Sequence, residues 1–516
     1  MHRVLKTTTT TTLLTLPLQN SCLSSSSSIS YQQRGFFNWF GGSKKDENKK
    51  RLGDALKEKN KLTSPTVWSE NNTKSSSKSS IEYPVTAVYS IGVNHQGQLG
   101  LGDCKSECEW VYNEELKSQS IKSIKSSLLH SAAITNDFNI FTWGANFHMQ
   151  LGQKFLSGLS ILPSFMESTP ISIKQSSFPN SKVIDCALGG WNGFALLVDN
   201  SDNKNSNSKS GQEIFSWGNN QYGQLGTGNL MNLLTPTKIY IPDTIKSISC
   251  GLYHTHFLLE NGKLLSCGKA NDGQLAMSIG NIEKESCSSE DKKHLGITRP
   301  RFSDLLGDAK IKEISAGCFH SIALTDDNRV YQWGKGEIKR DSIDDTLYTP
   351  YYTINKLDHQ INNEINKEKQ QQLYKVEEIK FPTDATSQGF KQVIGGNGFS
   401  MALTNDGKLY HWKIDGDNSN NPTLVENQSI VGKSISKVSV SPSHIGLIFD
   451  DESSRNQIFI WTLDDYKLEK KALKSMFMTT IQDGSKEKLF SLPNDHTIKD
   501  LSMGSHFSLI VAEKKK

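Results

Sequence analysis

Seven times along this 516-residue chain a β-rich phrase ends in Gly or Ser, then two variable residues and, in most copies, His. The clearest copies are Gly251-Leu252-Tyr253-His254 and Gly317-Cys318-Phe319-His320. Degraded ones stand at Ser127–His130, Gly190–Gly193, Gly396–Phe399, Ser441–His444 and Gly504–Phe507. In this frame the fourth positions fall 63, 61, 66, 79, 45 and 63 residues apart. Recurrence at such a period makes the chain an array of like units, none of which buries its apolar face alone. It predicts one closed domain, where length alone would give about three.

Each copy follows an alternating stretch, TIKSISC at 244–250 or KIKEISA at 310–316, the pattern of a strand with one buried face. A second apolar run follows the His position and leads to Asn261-Gly262 and Asp406-Gly407, dipeptides that favour tight hairpins. A third strand ends on an aromatic: Trp143, Trp217, Trp333, Trp412 and Trp461. One unit is therefore three antiparallel strands, with room for a fourth. Gly-rich phrases then stand at 92–102, 144–152, 218–228 and 268–276. Gly97, Gly100, Gly223 and Gly226 read as turn formers that permit close backbone approach. The competing reading, a phosphate-cradling loop, lacks the Lys-Ser/Thr ending of a nucleotide P-loop.

This succession of alternating strand, GxxHS, apolar strand, turn and aromatic-Gly-x-Asn-x-x-Gly-Gln-Leu-Gly resembles the repeat of the regulator of chromosome condensation (RCC) family. The resemblance covers roughly residues 82–516, strongly in the first four units and weakly in the last three. It implies an all-β, seven-bladed propeller. The chain begins on a strand-three phrase and finishes on strands one and two (497–512), so both termini are expected to share one blade and close the ring.

Charge divides the chain. Residues 1–80 hold thirteen Lys/Arg and five acids, so from totals of 58 and 54 the rest keeps 45 basic and 49 acidic. Residues 1–45 contain no acid, much Thr and Ser, and Leu13, Leu14, Leu16 and Leu18, a composition that fits a mitochondrial presequence. A secretory signal or a plain low-complexity tail are the alternatives. Residues 46–81 read as a disordered Lys/Ser-rich linker, and no membrane span is expected. The predicted location is the mitochondrion, in the matrix or at the inner membrane.

Recurrence assigns Gly251, His254, Gly317, His320, Trp143, Trp217 and Trp333 to structural positions of the repeat. His254-Thr255-His256 offers a metal pair without an evident third ligand, and Cys104/Cys108 is the only close cysteine pair. Light-sensing members of the family carry Trp and Arg at the GxxH turns, on a dimer interface. Only Trp191 matches that aromatic here. By location, Leu128, Trp191, Tyr253 and Phe319 are expected to crowd one face as a partner-binding patch, unless they fold inward against neighbouring turns. No catalytic, metal or cofactor site is read. The resemblance implies a binding platform rather than an enzyme. The expected partner is a protein, an assembly intermediate or a GTPase, and a body at net −4 disfavours nucleic acid unless a local basic patch exists. A mitochondrial scaffold for ribosome or respiratory-complex assembly is the favoured function. Guanine nucleotide exchange, with Asp341, Asp344 and Asp345 as a wedge, is the alternative.

Overall fold

The computed structural model describes residues 86–514 apart from 154–164, 174–176, 179–180, 200–210, 279, 283–295, 336–374, 415–420, 443 and 463–486. The predicted presequence, the linker and the Asp341–Asp345 loop lie outside the described residues. The described chain forms twenty-eight strands, β1 (Thr86–Gly92) to β28 (Phe507–Lys514), in seven four-stranded antiparallel sheets. Six sheets take four consecutive strands each. The seventh has the order β2-β1-β28-β27, where β2 is Glu107–Tyr112 and β27 is His496–Met503. The amino-terminal strand thus docks beside the last one, pairing continuously from Thr86↔Glu513 to Gly92↔Phe507.

Blades are numbered 1 to 7 from their innermost strands: β3 (Ile121–Ser126), β7 (Ser181–Leu188), β11 (Ile245–Cys250), β15 (Ile311–Ala316), β19 (Phe390–Gly395), β23 (Ile435–Val440) and β27. Each inner strand touches the next, and β27 touches β3, so the ring is closed. Alternation explains the burial. Ile121, Ile245, Ile311, Phe390 and Ile435 head their strands, Ile498 stands third in β27, and all are buried in apolar clusters that fill the spaces between blades. The outermost strands are mostly half-exposed, as in Met166–Ser172, or exposed, as in Thr423–Leu424, with single buried residues such as Ile297, Ile379 and Phe490. No helix among the described residues is long and apolar enough to cross a membrane.

Polar side chains stitch the inner strands together. Ser249, Ser315, Ser439 and Ser502 each accept the backbone N–H of the next blade, at Ala316, Gly395, Met503 and Ser126, over 2.7–3.1 Å. Asp500 accepts from Ile124 N (2.9 Å), Glu313 from Val393 N (3.2 Å) and Gln392 from Val438 N (3.1 Å). These bonds satisfy main-chain donors that the edge of one sheet otherwise leaves unpaired.

Candidate functional site

The repeat motif is a clasp between blades. In blades 3, 4 and 6 the imidazole Nε2 meets the serine hydroxyl that follows the same position in the next blade. His254 meets Ser321, His320 meets Ser400 and His444 meets Ser508, each at 3.0 Å. Gly251 and Gly317 are glycine because a Cβ at either would lie 2.6 Å from the next blade's carbonyl, of Gly317 and Gly396 respectively. The Gly-rich phrase supplies a second clasp. Trp143, Trp217 and Trp333 donate their indole N–H to the main-chain carbonyls of Gln98, Gln150 and Gln274 in the preceding blade, at 2.8–2.9 Å. Gly100, at φ +72°, lies against the Trp143 indole, where a Cβ would come within 2.7 Å of Nε1. Gly97 and Gly223 press on the main chain of Ser168 and Thr298, and Gly226 on Pro300.

Two elements of this clasp escape sequence inspection. Cys267 occupies the tryptophan position of blade 3, paired with Thr255 as Trp333 is with Ser321. Blade 4 places no Gly-Gln-Leu-Gly beside Trp412. Instead the Gln332 side-chain Oε1 accepts from both Trp412 Nε1 and Ser400 Oγ, at 2.9 Å each.

One frame is corrected. In blade 2 the turn is closed by Gly189 N donating to Asn192 O, as Gly251 N donates to His254 O, and Asn192 pairs with Gly218 as His254 does with Gly268. The phrase is therefore Gly189-Gly190-Trp191-Asn192, not Gly190–Gly193. Asn192 stands at the histidine position and Gly193 at the serine position, so His130 has no hydroxyl to meet and lies against the Asn192 backbone. With Asn192 as reference the first two spacings become 62 and 62. Trp191 is thus equivalent to Leu129, Tyr253 and Phe319, while Leu128 is equivalent to Leu252.

The expected apolar face is assembled but turned inward. Leu128 (5% exposed), Leu129, Ala145 and Trp191 (6%) form one cluster with Phe147, Leu252 and the half-buried Tyr253 packed on it. Phe319 is buried outside this cluster. Neighbouring turns lie close enough to cover these side chains, and His148 stacks edge-on to Trp191 at 5.2 Å. The arrangement is a packed floor rather than an exposed patch. His256 does not form a metal pair with His254. Its Nδ1 meets Ser266 Oγ (2.6 Å), its Nε2 meets Ser321 Oγ (2.7 Å), and its ring packs on Trp333. Cys104 and Cys108 form no disulfide.

Burial holds these imidazoles neutral. It pushes the pKa of His254, His320 and His444 down to about 3 and that of His130 down to about 4. An unfolded histidine titrates at about 6.5. Between these values the unfolded chain binds protons that the folded one does not, so the contribution is complete above about pH 6.5 and is lost as pH falls. His320→Gln is expected to flatten this acid slope, read as the urea midpoint against pH. A slope equal to wild type would show that the imidazole protonates in place.

The geometry defines a seven-bladed β-propeller whose recurring His, Trp and Gly residues are spent on holding blades together, leaving loops, rim and axial mouths for recognition. The regulator of chromosome condensation (RCC1) repeat matches residues 212–258, and a second description of the same repeat matches 245–274 and 311–337. The chain therefore carries that repeat within residues 212–337. It is 29% identical over 251 residues to the ultraviolet-B receptor UVR8 of Arabidopsis thaliana, covering 48% of this chain and 49% of the receptor. It is 25% identical over 409 residues to protein pim1 of Schizosaccharomyces pombe, covering 66% and 70%. The match to UVR8 thus spans about half of that relative's length. Among solved structures, yeast RCC1 superposes with a TM-score of 0.59 at 19% identity, covering 88% of this chain and 97% of that one. Human WBSCR16 superposes with 0.58 at 15% identity, covering 83% and 100%. At these identities the structural likeness concerns the fold.

Proposed function

We propose that this chain is a protein-binding ring of the mitochondrion that holds partners during assembly of ribosomes or respiratory complexes. The observation that carries the binding reading is the use of the repeat's histidines and tryptophans between blades, where they are buried and hydrogen-bonded. Chemistry-bearing side chains are committed to the scaffold, and the faces are left to recognition. RCC1-type relatives support a protein-interaction or exchange role. The Saccharomyces cerevisiae protein Prp20p has been described with its binding to Gsp1p and histones. The mitochondrial reading rests on the acid-free, Ser/Thr-rich residues 1–45.

The test uses the full chain tagged at its carboxyl terminus. It is expected in mitochondria with a shortened amino terminus, and cross-linked capture should return assembly intermediates. Recovery of uncut protein in the cytosol would overturn the location. The Gsp1p-binding relative favours nucleotide exchange as the second reading. Accelerated nucleotide release from a mitochondrial GTPase, abolished by changing Asp341–Asp345, would select it.

A further inference from the structure

Every inner strand carries a β-bulge at the same place. The ladder to the second strand breaks between Ile121/Ser123, Val183/Asp185, Ile245/Ser247, Ile311/Glu313, Phe390/Gln392, Ile435/Lys437 and Ile498/Asp500. The extra residue is Lys122, Ile184, Lys246, Lys312, Lys391, Ser436 and Lys499 in turn. Five of the seven are lysines, and all five are exposed. A bulge takes its residue out of the pairing and re-aims its side chain. Here it does so on the strands nearest the axis, at one mouth of the ring.

Lysines outnumber carboxylates on these strands. The inner strands hold eight lysines and three acids, Asp185, Glu313 and Asp500. Each acid sits directly after its bulge and is turned to a backbone amide: Asp185 to Cys186 N, Glu313 to Val393 N, and Asp500 to Ile124 N and Leu501 N. Lys125 and Lys437 pair with Asp185 and Asp500, and the bulge lysines are held by other groups. Lys246 Nζ reaches the carbonyl of the next bulge residue, Lys312, at 2.9 Å, and Lys122 Nζ lies 3.5 Å from that of Ile184. Lys391 and Lys499 make ion pairs with Asp450 (3.1 Å) and Glu513 (2.9 Å) on half-exposed side chains. Solvent-screened pairs of that kind contribute little and exchange readily. Lys246, Lys312 and Lys391 come from consecutive blades whose inner strands approach within 8 Å between Cα atoms. Lys499 and Lys122 form a second consecutive pair across the closure. Ammonium groups so gathered repel one another and favour an anion of several charges seated among them.

We propose that this lysine annulus binds a compact polyphosphate anion at the axial mouth. Lysine ammoniums act as point charges suited to phosphate clusters. The bulge set contains no aromatic on which a nucleobase would stack, which separates this site from a single-stranded nucleic-acid groove. The folded body is net negative, and these five lysines are gathered at one of its mouths.

The full-length protein is titrated with inositol hexakisphosphate at 0.15 M salt, an ionic strength at which nonspecific surface attraction is screened. One molecule is expected to bind saturably. The Lys246→Gln/Lys312→Gln/Lys391→Gln variant should bind at least about tenfold more weakly. Lys105→Gln/Lys117→Gln/Lys375→Gln, which removes equal charge from outer positions, should bind like wild type. Equal losses in both variants, or no saturable binding by wild type, would overturn the site. So would tighter binding of a decaglutamate peptide or of single-stranded RNA that the inner variant alone loses. If the inner triple variant loses its thermal transition, Lys312→Gln alone decides, with an expected loss of about threefold; wild-type affinity there overturns the proposal.

Discussion

A chain ending at Met503 is expected to show no cooperative unfolding transition, rather than to behave as a ring short of one strand. The deletion removes β28, which lies second from the axis in blade 7, between β27 and β1. Its Phe507, Leu509, Ile510, Val511 and Ala512 are at most 1% exposed. Burying each of the four larger side chains contributes about 1.5–3 kcal/mol. Together that approaches the whole stability of an ordinary domain, about 5–15 kcal/mol. The loss extends further, because β1 then has no partner on its inner side and β27 none on its outer side, and the Ser508 hydroxyl that meets His444 is gone. Both strands become free edges, which favour association between chains. The measurement is tryptophan fluorescence against urea, with light scattering for association. A sigmoidal transition retained by the shortened chain would show that blades 1 to 6 stand without closure.

The seven blades and their closure are legible because strand alternation and GxxH turns are local patterns, repeated in each unit. The fourth strand is less so. Most of its residues are half-exposed or exposed, as in Met166–Ser172 and Thr423–Leu424, and so carry little alternation. The frame of blade 2 is ambiguous in sequence because Gly189-Gly190 offers two glycines for one position, and only the bond from Gly189 N to Asn192 O chooses between them. Gln332 standing in for a missing Gly-Gln-Leu-Gly is invisible in sequence, since its meaning depends on Trp412 and Ser400 of the next blade. The bulge lysines are the second residue of IKSI, IKSI, IKEI, FKQV and IKDL. Read as alternation, they look like an ordinary solvated face. The ladder break that gathers them around one axis exists only in the paired sheet.

Trp217→Ala is expected to cost about 3–5 kcal/mol, and Trp461→Ala no more than about 1–2, although both residues hold the same place in the repeat. Trp217 is fully buried among Phe178, Val183, Ala195, Leu197 and Phe215, and its indole N–H donates to the Gln150 carbonyl at 2.8 Å. In other blades a hydroxyl shares that carbonyl, as Ser131 does with Gln98 and Thr255 with Gln224. In blade 2 the equivalent residue is Gly193, where a Cβ would strike the indole, so removal of Trp217 takes away the carbonyl's side-chain donor. Leaving a buried acceptor unsatisfied costs about 1–3 kcal/mol, which places Trp217→Ala at the upper end of its expected range. Trp461 is only half-buried and packs at the margin of its cluster, so less of its apolar area is at stake. Trp217→Phe should fall between, retaining most of the packing and losing the N–H. Urea unfolding of the three variants with a common slope measures the order. Equal losses at Trp217 and Trp461 would show that the preceding Gln-Leu clasp contributes nothing to blade packing and that the aromatic alone accounts for the recurrence.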